Sequence, residues 1–105
     1  GKERIMKKII NGTLYDTNVS EKKGAYQLSF ENGSRYYEEI LYHTKKGNWF
    51  LFISGNPDWP AVGMQPDLQT APFIKVLTEG EAKGWAEGRL SADEYCRIFG
   101  MPEQG

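Results

Sequence analysis

A chain of 105 residues carrying 3 Trp, 6 Tyr and 5 Phe is long enough for one packed domain and too rich in bulky rings to be a disordered, solvating tail. Its net charge of −1 hides an uneven spread: residues 1–50 hold 9 Lys/Arg against 6 Asp/Glu, and residues 51–105 hold 4 against 8, leaving +3 and −4. Neither half approaches the dense basic footprint of a duplex-DNA binder, and scattered charge on two solvated surfaces accounts for both values.

The longest apolar run, Trp49–Ile53, is five residues. A bilayer span needs roughly 20 and a signal-peptide core about 7 to 15, so neither insertion nor export is expected. Cys96 is the only cysteine. No intrachain disulfide can form, and a reducing, cytoplasmic setting fits best. Gly1 reads as a cloning remnant and Met6 as a candidate natural start, which leaves GKERI as tag or native extension of a single domain over 1–105.

Taken in chain order, Lys7–Ile10, then Asn11-Gly12, then Thr13–Tyr15 reads as a strand entering a tight turn, because Asn-Gly accepts the positive φ of a two-residue hairpin loop. Asp16 and Thr17 follow and either cap a short helical turn or close an Asx turn, a structural role in both cases. Ala25–Phe30 reads as a strand broken at Asn32-Gly33. Arg35–Thr44 leads through KKGN, Lys45–Asn48, into Trp49–Ser54, the strongest hairpin signal in the sequence. With those four residues as the loop, Thr44 pairs with Trp49, His43 with Phe50, Tyr42 with Leu51, Leu41 with Phe52 and Ile40 with Ile53. One face then carries Tyr36, Ile40, Tyr42, Trp49, Leu51 and Ile53, and the other Tyr37, Glu39, Leu41, His43, Phe50 and Phe52.

The stretch GNPDWPAVGMQPDLQTAP, Gly55–Pro72, holds four of the five prolines and resists helix and central strand alike. It is expected to be a long loop, with Trp59 either a binding anchor or a lid folded over the sheet. Phe73–Leu77 is a further strand. Thr78 with Glu81, and Ser91 with Glu94, are capping boxes opening two successive helices, the second ended by Gly100 and Pro102. In the first helix Ala82, Trp85, Ala86 and Leu90 share an arc, while Gly80, Gly84 and Gly88 recur on the opposite side. Three such glycines cost roughly 3 kcal/mol relative to alanine, so the stripe marks either close approach by a partner or a tolerated weak helix.

A catalytic centre is hard to assemble from these residues. His43 and Glu39 lie on one strand about 13 Å apart at about 3.3 Å per residue, too far to form a dyad. Cys96 sits beside Tyr95, Ile98 and Phe99, where a packed thiol is expected in preference to a Cys-His nucleophile. A single His and a single Cys do not make a structural zinc site, and no calcium-loop or phosphate-loop spacing is present. No metal or cofactor is implied.

Three segments in order, KKIING…YDT from Lys7 to Thr17, LYHTKKGNWFLF from Leu41 to Phe52 and PFIKVLTEGEAKGWAEGRLSADEYCRIFG from Pro72 to Gly100, resemble a family of small uncharacterised proteins carried by phages and conjugative elements of Gram-positive bacteria. The resemblance covers most of residues 6–100 and fails at Gly55–Pro72, where a shorter Gly/Ser-rich connection would be expected. It brings no catalytic residues with it. What it implies is context: accessory proteins of mobile elements that act by binding, including as inhibitors of host-defence nucleases of the CRISPR type.

The expected architecture is α+β, a mostly antiparallel sheet of four or five strands with two short C-terminal helices packed on one face. Two helices cover one face, yet the central hairpin is apolar on both, so the second face is expected to be covered by the Pro-rich loop, a second copy of the chain or a foreign partner. The expected function is therefore protein binding, by a monomer or homodimer, through a surface of Tyr37, His43, Phe50, Phe52 and Trp59. The alternative is single-stranded nucleic-acid binding, with Tyr37, Phe50 and Phe52 stacking bases beside Arg35, Lys45 and Lys46. An enzyme is the weakest of the three classes.

Overall fold

Asn11 and Gly12 both take positive φ, 50° and 78°, and so reverse the chain in two residues between β1 (Lys7–Ile10) and β2 (Thr13–Asp16). That turn matches the twist of the flanking strands and fixes their register at Ile10 opposite Thr13 and Ile9 opposite Leu14. Beyond β2 an Asx turn forms: the Asn18 N–H donates to Asp16 Oδ1 at 2.8 Å and the Ser20 hydroxyl to the Asp16 carbonyl at 2.7 Å. Thr17 extends the ladder, accepting from the Met6 N–H through its hydroxyl at 2.9 Å and donating its own N–H to the Met6 carbonyl at 3.0 Å. The opening motif thus serves the fold.

The computed structural model describes residues 6–29, 35–55 and 72–105. Within them β3 (Glu21–Ser29), β4 (Arg35–His43), β5 (Trp49–Gly55) and β6 (Phe73–Leu77) form a four-stranded antiparallel sheet in chain order. β1 and β2 form a separate two-stranded sheet, and α1 (Glu79–Arg89) and α2 (Ala92–Phe99) follow. The fold is α+β. The capping boxes close as expected: Glu81 N–H donates to Thr78 Oγ1 at 3.1 Å, and Glu94 N–H to Ser91 Oγ at 3.2 Å. The Pro-rich stretch lies almost wholly outside the described residues, as do GKERI and Trp59.

The β4–β5 register differs from the expected one by a single residue. His43 pairs with Trp49, Tyr42 with Phe50, Leu41 with Leu51 and Ile40 with Phe52. The cause is the turn. Thr44 pairs with Asn48 in place of Trp49, Thr44 N–H to Asn48 C=O at 2.8 Å, and the Gly47 N–H closes back on the Thr44 carbonyl at 2.9 Å with Gly47 at φ 93°. Three residues, Lys45–Gly47, make the loop, a turn followed by a left-handed glycine. Because side chains alternate along a strand, that one-residue slip moves every β5 side chain to the opposite face relative to β4.

Both faces of the sheet are consequently covered from within the chain. Tyr37, Leu41, Trp49, Leu51, Ile53 and Leu77 pack against Ala82, with Trp85, Ile98 and Phe99 from the helices alongside. Ile40, Tyr42, Phe50, Phe52 and Ile74 pack against Tyr15, Met6 and Ile10 from the β1–β2 hairpin. β5 is buried from Trp49 to Ser54, which is why its apolar run is continuous and does not alternate. The expectation that a Pro-rich loop, a second copy or a foreign partner must shield the second face is therefore corrected: the N-terminal hairpin shields it.

Candidate functional site

The slipped register divides the surface expected for recognition. Tyr37 and His43 lie on the helix side, His43 stacked on its cross-strand partner Trp49 with ring centroids 4.1 Å apart. Phe50 and Phe52 lie on the hairpin side, 0% and 2% exposed, Phe50 edge-on to Tyr15 at 5.5 Å and stacked on Tyr42 at 5.1 Å. These residues do not form one face, and the two phenylalanines are core. Trp59, the fifth residue of the expected set, is outside the described residues.

Glu39, met in the sequence only as a group too far from His43, proves to be a buried anchor. Its Oε1 accepts from Trp85 Nε1–H at 2.8 Å and from Arg89 Nε–H at 3.1 Å, while Oε2 accepts from the Tyr37 hydroxyl. Arg89 also lies over the Tyr26 ring, 4.5 Å from its centroid. Tyr37 is held well above the ordinary phenol range, first by burial and then by its hydrogen bond to the Glu39 carboxylate. A carboxylate with three donors is satisfied and turned inward, which suits fastening α1 to the sheet rather than proton transfer to a substrate.

Cys96 is half-buried, with its Sγ 3.9 Å from Met101 Sδ, in a cleft between α1 and α2 lined by Ala86, Leu90, Tyr95 and Pro102. It makes no hydrogen bond to His43. Among the described residues no group of three or more His, Cys, Asp or Glu could hold a metal ion, and no helix is long and apolar enough to cross a membrane.

Among the described residues the large hydrophobic side chains exposed to solvent are Ile, Leu, Val and Met. Ile9 is 70% exposed and Leu14 54%, and the two are direct cross-strand partners on the outer face of β1–β2, the face turned away from Tyr15 and Ile10. Val19, 56% exposed, lines the same groove as Leu14, with Lys45 and Lys46 on the opposite rim. The two-residue Asn-Gly turn already fixed the Ile9–Leu14 pairing. What the sequence did not reveal was which face of the hairpin the sheet would bury.

No protein-family model matches the chain, no curated protein matches it, and no solved structure matches it.

Proposed function

We propose that the chain is a non-catalytic accessory protein that works by binding another protein in the cytoplasm, with the outer face of the β1–β2 hairpin as its recognition surface. The observation that carries this reading is the Ile9–Leu14 pair. Single exposed aliphatic residues are ordinary on any surface, but here two face each other across a ladder and a third, Val19, adjoins them. The hairpin is also packed on the sheet through Tyr15 and Ile10, so a partner would meet a surface already anchored to the core. The resemblance to proteins of mobile elements makes host-defence nucleases the first class of partner to test.

Single-stranded nucleic-acid binding is less well supported. It calls for exposed rings on which bases stack, whereas Phe50 and Phe52 are enclosed and the large exposed hydrophobic side chains of the described residues are Ile, Leu, Val and Met. The testing experiment is affinity capture from a host lysate with wild-type and Ile9→Ser/Leu14→Ser baits, followed by reconstitution of any captured protein in purified form. One defined protein, bound directly by the wild type and lost from the double variant, is the expected result. Equal capture by both baits would sink the assignment of the surface.

A further inference from the structure

The apolar patch on β1–β2 continues into a groove whose chemistry is more specific than the patch alone. Leu14 and Val19 form its apolar wall, and the β4–β5 turn brings Lys45 and Lys46 to the facing rim, around a volume of about 560 Å³. A second cleft of about 510 Å³ shares Val19, Ser20, Thr44 and Lys45 with it and reaches as far as His43.

The groove is lined by two lysines, Lys45 and Lys46, and one acidic residue, Asp16. Lys45 and Lys46 are exposed, and neither forms an ion pair with any described residue. Lys7 stands two positions before Ile9 and so on the same outer face of β1. Asp16, the cross-strand partner of Lys7, is buried and its Oδ1 accepts from the Asn18 N–H, while Glu21, in the second cleft, pairs with Lys23 at 3.1 Å. Two exposed ammonium groups against one buried carboxylate leave the rim net positive, and beside the aliphatic side chains of Leu14 and Val19 they match a ligand that carries carboxylates and aliphatic side chains together.

We propose that this groove binds an acidic segment of a protein partner, its carboxylates meeting Lys45 and Lys46 and an aliphatic side chain seated between Leu14 and Val19. The proposal rests on the protein-binding reading above and adds the chemistry of the partner. The lining of the groove favours this occupant over nucleic acid, because its apolar wall is aliphatic and offers no ring for stacking. Its concave shape favours a chain segment over a lipid surface, which is met by a convex apolar face.

The test begins by panning a random peptide library displayed on phage against the purified full chain. The enriched peptide is then synthesised with a fluorescent label, and its affinity is measured by anisotropy for the wild type, Leu14→Ser and Lys45→Glu/Lys46→Glu. Oligo(dT) and phosphatidylserine vesicles serve as competing probes. Enrichment of Asp or Glu with Leu, Ile or Val is expected, with a loss of about tenfold or more on charge reversal and a smaller loss for Leu14→Ser, the melting midpoint unchanged in both. Enrichment of basic or aromatic peptides, no enrichment, affinity unaltered in the variants, or tighter binding of oligo(dT) or vesicles through the same lysines would each overturn it. If a partner captured through Ile9 and Leu14 stays bound to Lys45→Glu/Lys46→Glu, the protein-binding reading stands and the acidic-segment proposal alone fails.

Discussion

The indole N–H of Trp85 donates to Oε1 of Glu39 at 2.8 Å, across 46 positions of sequence, and joins the middle of α1 to the middle of β4. Burying a carboxylate is unfavourable unless its lone pairs are met, and here Trp85, Arg89 and Tyr37 meet them. Ala82 and Ala86 give α1 an apolar contact of modest size, so the polar node is what fixes the position of the helix on the sheet.

Glu39→Ala is therefore expected to lower stability by about 3 kcal/mol, because it removes the acceptor shared by the part-buried Trp85 N–H and the buried Tyr37 hydroxyl. Arg89→Ala should cost less than about 1 kcal/mol, since that side chain is 40% exposed and its ion pair is screened. Urea denaturation followed by Trp fluorescence compares the two directly. Equal losses would mean that the ion pair, and not the buried carboxylate, holds the helix.

Tyr37 should make stability depend on alkaline pH. Its folded-state pKa is raised, by burial first and by Glu39 second. The unfolded chain then releases the proton at lower pH than the folded one, so the contribution is complete below the unfolded value of about 10 and declines as pH rises beyond it. The stability difference between wild type and Tyr37→Phe should hold steady below about pH 9 and shrink above about pH 10. A difference that stays level through that range would contradict the buried, hydrogen-bonded phenol.

Glycine substitutions should divide by location. Gly12 and Gly47 occupy positive φ, 78° and 93°, in the two turns that set strand register, and alanine at either should cost about 1 kcal/mol or more. Gly84 sits inside α1, exposed, with nothing within 4 Å of an added Cβ. Gly84→Ala should stabilise by about 1 kcal/mol. Thermal midpoints of the three variants test the contrast, and destabilisation by Gly84→Ala would indicate that the glycine stripe has a packing role.

Local chemistry made part of this fold legible in the sequence. The Asn11-Gly12 turn, the Thr78 and Ser91 capping boxes and the α+β layering all depend on neighbours a few residues apart. The β4–β5 register is not legible in the same way, because KKGN allows two loop lengths and only Gly47 in the left-handed region selects the shorter. With β5 apolar on both faces, no alternation of polar residues was available to correct the slip. That slip carried the candidate site with it, since Phe50 and Phe52 appeared to share a face with Tyr37 and His43. The Glu39 node was invisible for another reason, its partners Trp85 and Arg89 lying 46 and 50 residues away.

The inner face of the N-terminal hairpin belongs to the core, and the outer face is the one proposed for recognition. The direct test measures unfolding midpoint and partner affinity together for Phe50→Ala and Leu14→Ser. Phe50→Ala, which empties a fully buried site, should destabilise by about 3 to 5 kcal/mol. Leu14→Ser should leave the midpoint within about 0.5 kcal/mol of wild type and weaken partner binding by about tenfold or more. A Leu14→Ser protein that binds its partner as the wild type does, or a Phe50→Ala protein that keeps its stability and loses only binding, would contradict the assignment of the faces.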